Sequence, residues 1–84
     1  MADQPTEIAG LVECIVAPLV DHKDDLQIAS SVSPEGVVLV EVRVNEEDAG
    51  KIIGRQGRVI KSIRTLARAA ASRTNTHVEV EIIE

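Results

Sequence analysis

"NEEDAGKIIGRQGRVIKSIR", residues 45–64, holds the turn around which the rest of the chain is arranged. Asn45 is a good helix N-cap, and Glu46, Glu47 and Asp48 put three acids where a helix dipole favours negative charge, which predicts a short helix over 46–53. Gly54 interrupts it, "GRQG" fills 54–57, and a second helix is predicted from 58 to about 73. Val59, Ile63, Leu66 and Ala70 form the expected core face of that second helix. At about 100° per residue, Arg58, Lys61, Arg64 and Arg68 lie opposite, with Ile60 and Ala67 between the two sectors. Ile60 is therefore expected to be exposed, whereas at least one of the adjacent Ile52 and Ile53 should face the core.

Charge is segregated along the chain. Lys51, Arg55, Arg58, Lys61, Arg64, Arg68 and Arg73 occupy 51–73 with no acid among them, a local +7 inside a chain of net charge −5. A total of that sign argues against a polyanionic partner, but the local arrangement reverses the argument. Gly54 and Gly57 bracket two polar residues between two helices, where glycine permits positive φ and lets another backbone come close. The second helix starts just after Gly57, so its free N–H groups and positive dipole end point at the same turn, an arrangement suited to an anion such as a phosphate backbone.

Upstream of this turn, "LQIASSV" and "GVVLVEVRV" read as two strands joined by the turn "SPEG", with Val38, Val40, Val42 and Val44 on one face. Downstream, "HVEVEII" alternates as a third strand. At the N-terminal end, Ile8, Leu11, Val12, Ile15 and Leu19 form an amphipathic stripe that predicts a helix over 5–17, with Asp3 or Thr6 as cap and Pro18 as its end. The order is α-β-β-α-α-β. With 84 residues, 12 Val, 9 Ile, 5 Leu and no aromatic side chain, the chain suits a single α+β domain over 1–84, a three-stranded sheet packed against three helices, with frayed termini.

On these residues the sequence resembles a known family. "AGKIIGRQGRVIKSIR" is similar to the signature of the KH domain, in which a G-x-x-G loop between two helices clamps about four single-stranded nucleotides. The element order resembles the type II, prokaryotic arrangement. With "IVAPLVDH" and "IRTLARAAA", the chain resembles the small single-domain bacterial KH proteins of the KhpA (YlqC) family over nearly its whole length. The resemblance implies that Gly54, Arg55, Gln56 and Gly57 contact phosphates and sugars of single-stranded RNA. It further implies an aliphatic groove for the bases from Ile52, Ile53 and Ile60, and longer-range attraction from Lys51, Arg58, Lys61 and Arg64. It also implies a role as RNA chaperone or post-transcriptional regulator, and pairing as a homodimer or with another KH-domain protein. Ala67, Ala69, Ala70 and Ala71 allow the close helix approach such pairing needs.

Other readings fit less well. Recognition by aromatic stacking, as in RRM sheets and OB-folds, has no residues to work with, so one copy is expected to bind weakly and to need a second copy or a partner domain. The glycine spacing matches neither a P-loop nor a dinucleotide fingerprint. His22 and His77 are far apart in sequence, and the acids at 46–48 read as a helix start, so no enzyme activity, cofactor or metal is expected. Cys14, the single cysteine, reads as a small, partly buried residue of a protein in a reducing compartment, the cytoplasm. No apolar run is long enough to span a membrane. A protein-interaction adaptor, whose basic helix meets an acidic or KH-containing partner, remains open as the alternative function.

Overall fold

The computed structural model describes residues 4–84. Helix α1 (Gln4–Val16) passes into a 3-10 turn at Ala17–Leu19, because Pro18 has no N–H with which to continue the α-helical ladder. Ile8 and Val12 are buried as the apolar stripe requires, and Val16 completes the buried row, while Leu19 stays on the surface. Thr6 lies within α1 rather than capping it, and Asp3 lies outside the described residues.

Strands β1 (Gln27–Val32) and β2 (Val38–Arg43) pair antiparallel across the 33–36 turn. The Gly36 N–H donates to the Ser33 carbonyl at 2.9 Å, with Gly36 at φ 87°, a conformation that glycine adopts without strain. Strand β3 (Val78–Ile83) pairs parallel to β2, giving the order β1-β2-β3. A parallel return needs a long crossover, which α2 (Glu46–Ile53) and α3 (Arg58–Ser72) supply. The register aligns Val38 with Val78, Val40 with Val80 and Val42 with Ile82, so the β2 valines and both β3 valines form a buried face under the helices. Leu39, Glu41, Glu79 and Glu81 project from the opposite face. The expected element order and the three-stranded α+β arrangement are both observed.

Two burial expectations need correction. Ile60, Ile63, Ala67 and Ala71 are the buried residues of α3, and Leu66 is 50% exposed. At 100° per residue the buried sector is rotated by about 75° from the one centred on Val59, Ile63, Leu66 and Ala70. The physical reason is that α3 packs against both α1 and β3, and Ala67 and Ala71 let it come close to both, which turns the bulkier Leu66 outward. Cys14 is exposed rather than partly buried, because it lies on the outer side of α1, away from Ile8, Val12 and Val16.

Candidate nucleic-acid interface

The 54–57 turn is built from both flanking helices. Asn45 caps α2 through its Oδ1, which accepts the Glu47 N–H at 2.8 Å. At the other end the Gly54 N–H donates to the Gly50 carbonyl at 2.8 Å, and the chain then leaves the helix with Gly54 at φ 78°, ψ 173°. The Gly57 N–H closes back on the Gly54 carbonyl at 3.1 Å, and Gly57, at φ 74°, is the residue from which α3 starts. Gln56 also has a left-handed backbone, at φ 58°, which the sequence pattern does not reveal. No side-chain hydrogen bond caps the start of α3, where the Arg58 N–H instead donates to the Arg55 carbonyl.

The two glycines are needed for different reasons. A Cβ on Gly54 would lie 2.4 Å from Cγ2 of Val59 and 2.9 Å from the Val59 backbone nitrogen, so this glycine lets the first turn of α3 sit directly on the end of α2. A Cβ on Gly57 would meet only ordinary contacts, at 3.9 Å from Ile60 and from Lys61, so Gly57 is required for its backbone conformation alone.

Around this turn, Arg55, Gln56, Arg58 and Lys61 are exposed, and the Arg58 guanidinium lies 3.4 Å from Oε1 of Gln56. Of the three isoleucines, Ile53 is 38% exposed, while Ile52 is fully buried and Ile60 is 6% exposed. The expectation that Ile60 is the exposed one is thus reversed: the rotation of α3 carries it into the core, and Ile53 offers the apolar surface. Arg64 is half-buried, its Nε donating to the Val80 carbonyl at 3.3 Å along the outer edge of β3. Arg68 remains exposed farther along α3.

Lys51 behaves differently from the other cations. Its ammonium donates to the Asp21 carboxylate and lies 3.6 Å from Oδ1 of Asp48. The hydrogen bond to Asp21 raises the Lys51 pKa, burial opposes this, and the charges of Asp21 and Asp48 add to the rise. Its positive charge is therefore already matched within the fold.

Asp48 has a second role that the local sequence leaves out. It is 1% exposed, and its carboxylate accepts the N–H groups of Asp21 at 3.1 Å and His22 at 2.9 Å, which pins the 20–25 loop to α2. Burial by itself would raise the Asp48 pKa, but the two amides, His22 and Lys51 together hold it below the usual aspartate value. A carboxyl depressed in the folded state contributes stability that is fully present above its unfolded pKa and is lost as pH falls through its folded pKa. Replacement by Asp48→Asn turns one acceptor into a donor that faces a backbone N–H. The expected result is a lower melting temperature at neutral pH and a shallower loss of stability on acidification below the ordinary aspartate range, read by thermal unfolding across a pH series. An acid limb identical to wild type would contradict this role. The only hint in sequence is spacing: Asp48 lies one turn before buried Ile52, on the inward side of α2.

Among the described residues, no group of three or more His, Cys, Asp or Glu side chains could hold a metal ion, and no helix is long and apolar enough to cross a membrane.

The chain is similar to known proteins over most of its length. The family described as KhpA/KhpB, KH domain, matches residues 9–82. The RNA-binding protein KhpA of Clostridium acetobutylicum is 48% identical over 73 residues, covering 87% of this chain and 96% of its own. That of Leifsonia xyli is 48% identical over 73 residues, covering 87% and 95%. That of Bacillus subtilis is 39% identical over 84 residues, the full length of both chains.

Proposed function

Because this chain belongs to the KhpA/KhpB family of KH domains, we propose that it binds single-stranded RNA through the 54–57 turn and the start of α3. The observation that carries this reading is the start of α3, free of a side-chain cap and placed directly behind two positive-φ glycines, with Arg55, Gln56 and Arg58 exposed around it. Backbone N–H groups and the helix dipole favour a phosphate there, and the neighbouring guanidinium groups add charge-assisted hydrogen bonds. Ile53 supplies exposed apolar surface at the end of α2 for a base to rest on, while Ile52 and Ile60 lie in the core. Binding of this kind holds RNA without changing it covalently, which suits an RNA chaperone or post-transcriptional regulator in the cytoplasm.

The test is titration of a short fluorescent single-stranded RNA over a salt series. About three to four phosphates contacted should give a slope of roughly −2 to −3 in log K against log salt. A binding constant that does not change with salt would contradict a phosphate-reading turn.

Leu66 favours a second property that can coexist with the first. A leucine 50% exposed in the middle of α3, with the small Ala69 and Ala70 close by, suits the meeting of two helices. Pairing through this face, with a second copy or another KH-domain protein, would also raise RNA affinity by effective concentration. Leu66→Glu is expected to shift the protein from dimer to monomer in sedimentation velocity at micromolar concentration, and an unchanged distribution would count against pairing through α3.

A further inference from the structure

Lys51 stands at the last turn of α2, three residues before Gly54, yet its ammonium is turned to Asp21 and Asp48. These two acids differ in kind. Asp48 is buried and fixes the 20–25 loop through the Asp21 and His22 amides, so it cannot be removed without disturbing the fold. Asp21 has a side chain 75% exposed, and among the described residues its carboxylate pairs with Lys51 alone. Its backbone N–H is what Asp48 binds, and that bond does not depend on the side chain. The Asp21 carboxylate is therefore dispensable for the loop's position and serves to hold the Lys51 ammonium.

We propose that the Asp21 carboxylate, seated on the loop that Asp48 anchors, holds Lys51 away from bound nucleic acid and so limits how tightly this domain binds polyanions. The inference rests on the reading of the 54–57 turn as the RNA-contacting surface. An ammonium at this position has a flexible four-carbon stem and lies one helical turn from the glycines, so releasing it adds a mobile cation beside the phosphate path. Held as it is, the charge is cancelled nearby, and affinity is left to Arg55, Arg58 and Lys61. The effect is greater dependence on the turn itself and less on diffuse attraction that any polyanion would satisfy.

The experiment is a double-mutant cycle between Asp21→Asn and Lys51→Met, which keeps the stem and removes the charge. Affinity for a short single-stranded RNA is measured over a salt series, together with melting temperature. Asp21→Asn is expected to tighten binding by about three- to tenfold at low salt and to steepen the salt slope by about 0.7, the value of one added single-strand phosphate contact. In the Lys51→Met background the same substitution should leave both quantities where they were. A gain of equal size in that background overturns the proposal, because Asp21 would then act through its own charge. Absence of any gain overturns it too, provided that the Arg55→Asp/Gln56→Asp variant loses binding in the same assay. If that loop variant instead binds as wild type does, the reading of the turn fails, and with it the proposal.

Discussion

Gly54→Ala is expected to cost the domain about 2–6 kcal/mol of stability, whereas Gly57→Ala, three residues away in the same motif, should cost about 1–2 kcal/mol and leave it folded. The added methyl at Gly54 meets Val59 at its Cγ2, Cβ and backbone nitrogen, all within 3.0 Å. A backbone nitrogen cannot move without shifting the start of α3, so the clash cannot be relieved by rotating a side chain. Overpacking of this kind costs about 1–3 kcal/mol. The backbone at φ 78°, ψ 173° belongs to a region held almost only by glycine, which adds roughly 1–3 kcal/mol. Together these reach about 2–6 kcal/mol, against roughly 5–15 kcal/mol for a whole domain. At Gly57 the left-handed conformation alone is at issue, costing about 1–2 kcal/mol. Urea unfolding of the two variants checks the contrast. Midpoints lowered equally would show that the Gly54–Val59 approach is not the constraint inferred for it.

The second large effect concerns binding rather than stability. In the double variant Arg55→Asp/Gln56→Asp, two exposed side chains are replaced and the turn's charge becomes more negative by three. Its fold should be unharmed for residue-specific reasons. Gln56 already occupies φ 58°, a conformation that Asp tolerates better than most residues. An acid at position 55 or 56 also lies near the start of α3, where negative charge is favourable. Loss of two solvent-exposed hydrogen bonds to phosphate, taken at about 1–2 kcal/mol each because water competes for them, corresponds to about 2–4 kcal/mol. The expected weakening of RNA binding is therefore on the order of 30-fold to several hundred-fold, with a change in stability within about 0.5 kcal/mol.

How much of this was legible in the sequence varies with how local each cause is. Helix α2 has its predicted limits because Asn45 starts it and Gly54 stops it, both through contacts within four residues. Strand β2 was legible because alternating valines mark a half-buried strand whatever its neighbours are. The facing of α3 was not legible, because a helical wheel gives weight to bulk, and here two alanines decide the contact with α1 and β3 while Leu66 is left outside. At the site, the basic turn and both glycines could be read directly. The engagement of Lys51 could not, since Asp21 lies thirty residues away in sequence and only the fold brings it there. Nor could the clash partner of Gly54, because a glycine's letter states what is absent and not what fills the space.

Whether the 54–57 turn holds RNA is measured most directly by the affinity of wild type and Arg55→Asp/Gln56→Asp for the same short single-stranded RNA. Both proteins are first shown to melt alike, and binding is then followed by fluorescence anisotropy across a salt series. The variant is expected to bind at least about 30-fold more weakly at low salt, with a slope shallower by about 1.4 for two lost phosphate contacts. Equal affinity and an equal slope in the two proteins would contradict RNA binding through the turn.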